Sequence, residues 1–246
     1  MARTPDLDAY RRDVQEHVAA PGPAADQRLA HLFELEAVEG LAAAAEEAPP
    51  SVARRLWALA RFAAEGHLRL AAAAEQGALA EEARDATAEV GGDELTLPEL
   101  GARIAAEPDA GVRRSLQAAR VRLIESRLLP HLDDARGRAE EAAAAGGAPS
   151  PEAFVARAAG LDLAAIAAAA ASFLEATDEP HARLLDRALR EAVGHGLREA
   201  GAADLPRLAA APHAGPGLAP ERAAEAVTHT LELLGVDPGR LPALPR

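Results

Sequence analysis

Eight histidines are the side chains in this sequence best suited to metal or acid–base chemistry, and none of them stands in a His-Glu-x-x-His pattern. The nearest arrangements are Glu191, His195 and Glu199, spaced four apart so that a helix would put them on one face, and Glu225 with His229. Such spacing can present two metal ligands. Gly194 and Gly196 flank His195, however, and loosen the helix that would hold it. Acid–His pairs at this spacing ordinarily give only modest helix support, so a solvated acid–His face is the simpler reading. The Glu-x-x-His pairs of di-iron helical bundles are missing; only Asp178-Glu-Pro-His181 comes close, at an expected helix start. His67 falls on an apolar stripe with Leu56, Leu59, Ala60, Ala63 and Leu70. A core histidine with a hydrogen-bond partner is expected there, because a buried polar group must be satisfied whatever its role.

Arg113, Arg120 and Arg127 recur every seven residues and so share one face of a helix that also carries Arg114 and Arg122. The stripe could meet a substrate carboxylate by bidentate pairing. Pairing with acidic helices of the same fold, or simple solvation, is the plainer expectation. Asp204 stands where it could cap the helix opened by Leu205-Pro-Arg. No Gly-rich phosphate loop, Gly-x-Ser-x-Gly elbow or Ser/His/Asp set can be assembled. No catalytic, cofactor-binding or metal-ligating residue is therefore assigned.

The surrounding composition narrows the chemistry further. There is no cysteine, which removes disulfides, thiolate zinc sites, iron–sulfur clusters and cysteine nucleophiles. A formal net charge of -13 argues against nucleic acid and anionic membranes as partners, since both call for a basic face. All 26 basic residues are arginine, and lysine and asparagine are both absent, a pattern expected of a GC-rich genome rather than of a function. The start of the chain has no apolar h-region, and the most apolar run, residues 163–174, is about half a bilayer span. A cytoplasmic protein is expected. Alanine dominates the apolar residues, and only Tyr10, Phe33, Trp57, Phe62, Phe154 and Phe173 are aromatic. A core of this kind needs closely packed helices, with Leu and Val contributing most of the roughly 25 cal/mol per Å² of buried apolar surface.

Helix punctuation is dense. Helices are predicted over about 6–20, stopping at Pro21-Gly22-Pro23, over 24–48, ending at Pro49-Pro50, and from a Ser51 cap to about Val90, closed by Gly91-Gly92. Thr96-Leu-Pro-Glu99 reads as a capping box opening a helix to Glu107. Pro108 ends it, and Asp109 caps the next, which Pro130 should kink or break before an acidic, alanine-rich continuation to Ala145. Gly146-Gly147 is a stop; Ser150-Pro151 starts a helix ending at Gly160, and Asp162 caps another reaching Ala176. Asp178-Glu-Pro180 is expected to open a further helix through His195 to about Glu199, followed by pieces over 203–210 and 220–234, with Gly235 as a C-terminal cap. No segment reads as a strand. The fold class is all-α, roughly ten helices in an elongated array, with one helical module over 1–237, a subdivision allowed near 91–95, and a proline-punctuated tail over 238–246.

In this order, the segments resemble a known family. The run Thr96-LPELGARIAAEPDAGVRRSLQAARVRL-Ile124 looks like the segment of M3-type zinc metallopeptidases, the thimet oligopeptidase and oligoendopeptidase F group, in which a short helix, an acidic–Asp break and an Arg-bearing helix precede the midpoint of the chain. Residues 146–185, 203–215 and 218–237 follow in matching order, so the likeness covers roughly 25–237. The resemblance implies an elongated helical half forming one wall of a peptide-binding channel. It implies zinc, a His-Glu-x-x-His helix and a later Glu only in the catalytic half of the family, which this sequence does not contain, so no family residue is carried over. The family's channel-facing Tyr and Phe are also depleted here.

The expected function is that of a non-catalytic N-terminal part of an M3-like peptidase, truncated or split from its catalytic domain, binding peptides or a separate catalytic half. The alternatives are a free-standing helical interaction protein and an all-α metal or haem enzyme that would need His195 or His229 to face a carboxylate-lined interior.

Overall fold

The computed structural model describes residues 6–20, 22, 28–211 and 220–233, with side chains beyond 211 described only from 225 onward. The expected tail over 238–246, the Pro21-Gly22-Pro23 stop apart from Gly22, and Gly235 lie outside the described residues. The fold is all-α apart from one small hairpin.

The chain divides into two compact units, Met1–Ala88 with Val121–Thr177, and Glu89–Arg120 with Asp178–Arg246. In the first unit, helix α1 (Leu7–Ala19) is opened by Asp6, whose carboxylate accepts the backbone N–H groups of Asp8 and Ala9 at 3.0 and 3.2 Å. A short 3-10 turn, Ala30–Phe33, leads to α2 (Leu35–Glu47), which ends where Pro49 and Pro50 forbid it to continue. Helix α3 (Pro50–Ala71) starts on Pro50 itself, not on a Ser51 cap, because proline already fixes the dihedral a first turn needs. The single long helix expected from Ser51 to Val90 is corrected: it breaks at Ala72, resumes as α4 (Ala73–Asp85), and then becomes a strand.

That strand, β1 (Thr87–Val90), pairs with β2 (Asp93–Thr96), so the expectation that no strand exists is also corrected. Gly91 and Gly92 both take positive φ, +64° and +91°, the pair of left-handed residues that a two-residue hairpin turn requires. The two glycines are a turn between strands, not the end of a helix.

The core of the first unit gathers Tyr10, Leu32, Phe33, Leu41, Leu56, Ala60, Ala63, Ala64, Ala143 and Phe154, all buried. Alanine lets the helices approach closely, and glycine goes further: a Cβ on Gly66 would sit 2.0 Å from Phe33, and one on Gly146 2.5 Å from Phe154. Tyr10 donates its hydroxyl to the Leu32 carbonyl at 2.8 Å, and burial pushes its phenol pKa up. His67 receives the partner its stripe position demanded, the Phe33 carbonyl at 2.8 Å, with its ring against Phe154.

Further along, the capping box forms as read: the Thr96 hydroxyl accepts the Glu99 N–H while the Glu99 carboxylate accepts the Thr96 N–H, opening α5 (Leu97–Ala106). Asp109 caps α6 (Ala110–Leu123) through the Val112 N–H at 2.8 Å. A π-helical turn, Ile124–Leu128, then carries the chain into α7 (Leu129–Ala145) with Pro130 in its first turn. Pro130 has no N–H to give, and the widened turn is where the ladder absorbs that loss.

Ser150 caps α8 (Pro151–Ala158) and Asp162 caps α9 (Leu163–Val193). Helix α9 runs unbroken over Leu163–Val193 with Pro180 inside it, so two expected helices are one. Asp178 and Glu179 therefore open nothing. The missing hydrogen bond at Pro180 falls on an exposed stretch, where water can satisfy the freed carbonyl. Helices α10 (Leu205–Ala209) and α11 (Pro220–Leu233) complete the described fold. Among the described residues no single helix is long and apolar enough to cross a membrane.

Candidate functional site

Among its described residues the second unit buries two charged ones in apolar surroundings. Leu100, Ile104, Leu116, Leu189, Ala192 and Ala203 exclude water, and within them lie Arg113, with no exposed surface, and Asp204, 4% exposed. Arg113 sits one turn into α6, after the Asp109 cap. Its Nε and Nη2 both donate to Asp204 Oδ1, at 3.0 and 2.5 Å, and its Nη1 donates to the carbonyls of Glu107 and Pro108 at 3.1 and 2.7 Å. One guanidinium thus stitches the carbonyl end of α5 to the segment preceding α10. Nearby, Arg207 donates to the Ala106 carbonyl at 2.9 Å and holds the same two elements together from the surface.

The other oxygen of Asp204 is equally engaged. Oδ2 accepts the Gly201 N–H at 2.9 Å and the Nε2–H of His195 at 3.1 Å, so the proton on that imidazole is assigned to Nε2. Burial pushes the Asp204 carboxyl up, but the Gly201 N–H, Arg113 and His195 together outweigh it and draw its pKa down to about 2. The charge is compensated on both oxygens.

His195 reaches this position because α9 stops before it. Gly194 turns the chain with φ +83°, and the next segment folds back along the helix. Asp186 fixes the return: its carboxylate accepts the Leu197 N–H at 2.8 Å and the Arg190 Nε–H at 2.9 Å. Gly196 is pressed against this pair so closely that a Cβ would lie 2.4 Å from Asp186 Oδ1. The two glycines do not loosen a helix around His195; they end it and make room for the turn. Glu191, His195 and Glu199 consequently do not share a helix face, and both glutamates point to solvent.

The other sequence candidates disperse. His181 lies exposed inside α9, not at a helix start, and Glu225 and His229 are exposed on α11. Of the arginine stripe, Arg113 is the buried ion-pair donor, while Arg127 meets Glu82 at 2.6 Å in the first unit. The π turn between Arg120 and Arg127 shifts the helical phase, so the seven-residue repeat does not keep one face. Arg120 is half-buried, and its Nε, like Gln117 Oε1 one turn earlier, is buried without a hydrogen-bond partner.

Asp204 was readable as a cap and is not one: its side chain makes no bond to the first turn of α10, because both oxygens are already committed elsewhere. Its true partner stands 91 residues away, a distance at which spacing gives no signal. Among the described residues no three His, Asp or Glu side chains converge on a point. In the first unit, an open groove of about 710 Å³ runs between α3, α4, α7 and α8, with Leu68, Leu79, Leu132 and Val155 on its walls and Glu65 and Arg136 at its edge.

The fold and this network define an all-α protein whose second unit is tied by a buried Arg–Asp pair with a half-buried histidine on it. Compared with known protein families, curated proteins and solved structures, the chain shows no significant match.

Proposed function

We propose that this chain is a non-catalytic helical scaffold, the counterpart of the channel wall in M3-like zinc metallopeptidases of the thimet oligopeptidase and oligoendopeptidase F type. In this reading it handles peptides in the cytoplasm only together with a zinc-bearing part, carried on the same or another polypeptide. The observation that carries it is the Arg113–Asp204 pair. Arg113 belongs to the 96–124 segment and Asp204 to the 203–215 segment, two of the stretches on which the resemblance rests, and the pair ties them into one unit. The buried acid and guanidinium, and the half-buried imidazole beside them, are all spent on that tie, which is the behaviour of a framework.

Among the described residues, the cluster around His195 does not suit a zinc site. His195 is held by Asp204, whose oxygens are filled by Arg113 and Gly201. Zinc in this reading belongs to the other part. The groove lined by Leu68, Leu79, Leu132 and Val155 is where an extended peptide would lie.

Peptide hydrolysis tests the proposal. The purified chain with added zinc is expected to be inactive on a fluorogenic peptide library. An M3-type catalytic half added to it is expected to restore turnover. Robust zinc-dependent turnover by the chain alone overturns the reading. A second reading, a free-standing helical interaction protein, is favoured by the exposure of every residue from 163 to 176 on α9.

A further inference from the structure

Two cavities of the first unit lie on one face of α3. Arg54, Trp57, Ala58 and Arg61 line the first, of about 460 Å³, together with Leu161. Glu65, Leu68 and Arg69 line the second, the open groove of about 710 Å³. These positions follow one another at helical spacing, which keeps them on one side of the helix. Across the seam, Val155 faces the groove and Ala159, four residues on, the smaller cavity. The ion pair of Arg61 with Glu65, at 2.7 Å, marks where the two meet. From Arg54 to Arg69 the track runs for about 22 Å at ~1.5 Å per helical residue, a length that an extended chain of about seven residues spans.

The two ends of the track differ in charge. No carboxylate lines the Trp57 cavity, although the chain carries 39 acidic residues against 26 basic ones. Arg54 is exposed and has no ion-pair partner among the described residues. Arg61 spends its Nε on Glu65, while Asp162, next to Leu161, accepts the N–H groups of Ala164 and Ala165. Two guanidiniums less one neighbouring carboxylate leave about one positive charge, the complement of a single carboxylate rather than of a phosphate dianion. Beside them stands an apolar wall: the Gly160 backbone, at φ +63°, presses on the Trp57 indole so closely that a Cβ would lie 2.8 Å from Cε2. Along the groove the walls are apolar, and Gln76 and Arg136 offer polar groups to a peptide backbone. A hydrocarbon chain in a groove this open would leave one side bare to water.

We infer that this face of α3 binds the C-terminal end of an extended peptide: the terminal carboxylate at Arg54 and Arg61, the last side chain against Trp57, and the preceding apolar side chains in the groove. The peptide then runs antiparallel to α3. The inference rests on the peptide-handling reading for its choice of ligand, and adds to it a direction, an anchor and the requirement for a free terminus.

The full chain is titrated with a heptapeptide of alternating Leu and Gln that ends in Leu, once as the free acid and once as the C-terminal amide. Calorimetry gives the affinities, and the emission of Trp57, the one tryptophan of the chain, reports whether the cavity is occupied. The free acid is expected to bind at least about tenfold tighter than the amide, a preference that shrinks as salt rises. Arg54→Gln changes an exposed position, so circular dichroism should stay unchanged while the preference falls by at least about fivefold. Leu132→Gln, at a position 43% exposed, should weaken both forms alike. Equal affinity for acid and amide, no binding of either, or a preference untouched by Arg54→Gln overturns the inference. So do affinities unmoved by Leu132→Gln, binding that leaves Trp57 emission unchanged, and decanoate or inorganic phosphate binding more tightly than the free-acid peptide. Restored zinc-dependent turnover without a carboxylate preference would remove this inference alone. The preference without restored turnover would remove the peptidase reading and leave this one standing.

Discussion

Arg113 and Asp204 form an ion pair whose side chains retain 0% and 6% of their accessible surface, the carboxylate receiving two N–H groups of the guanidinium on a single oxygen. Neither partner can be rehydrated without opening the second unit. Removing one therefore strands the other.

Asp204→Ala is expected to destabilise the protein by about 3–5 kcal/mol, because Arg113 is left buried and uncompensated. Asp204→Asn should cost somewhat less, since its amide oxygen can still accept. The Arg113→Met/Asp204→Leu double variant is expected to lose much less than the sum of the single alanine variants. Urea denaturation of the parent, Asp204→Ala, Arg113→Ala, Asp204→Asn and the double variant checks this. Additive losses would mean that the pair is not the unit that matters.

The same pair predicts an acid transition. The folded Asp204 pKa of about 2 lies below the ordinary value of 3.8, so the unfolded chain binds a proton first as the pH falls. The stabilisation is fully present above about pH 4 and is lost progressively on descending towards pH 2. With a side chain this buried, the difference corresponds to roughly 2 kcal/mol. Denaturation midpoints at a series of pH values should fall through that window in the parent protein and fall less steeply in Asp204→Asn.

Glycine substitutions separate packing from backbone freedom. Gly196→Ala forces a Cβ to within 2.4 Å of Asp186 Oδ1 and should cost about 1–3 kcal/mol, moving the loop that delivers His195. Gly201→Ala meets nothing within 4 Å and keeps the N–H that Asp204 accepts, so it should stay within about 0.5 kcal/mol of the parent. Thermal unfolding of the two variants distinguishes them. Equal effects would refute the assigned close approach.

Pro180 sits inside α9 on an exposed stretch, where it withholds one backbone hydrogen bond. Pro180→Ala should therefore stabilise the helix, by up to about 3 kcal/mol on propensity grounds. A rise in melting temperature with unchanged helix content checks it; a fall would mean that the proline shapes something the helix needs.

Local chemistry made much of the fold legible in advance. Thr96 with Glu99, Asp109, Ser150 and Asp162 each open a helix through contacts confined to one turn, so a reading of neighbours finds them. His67 was found for a similar reason, its position on an apolar stripe implying a partner. The hairpin at Gly91-Gly92 escaped because the same glycine pair also terminates helices, and β1 and β2 have only four residues each. Pro180 misled in the opposite sense, since proline ends most helices but is tolerated where the freed carbonyl faces water. The Arg113–Asp204–His195 cluster was the hardest to see. Its members come from three separate stretches, and each looks ordinary in its own.

The compositional habit that leaves this chain without lysine has a structural outcome in the second unit. Arg113 serves one carboxylate oxygen and two main-chain carbonyls from three separate nitrogens, a reach that a single ammonium nitrogen does not have. Two of those nitrogens meet the same oxygen of Asp204, so the fork closes on the acid from one side. The clasp therefore lets go on its acidic side, where Asp204 takes up a proton and the fork loses the charge it closes on.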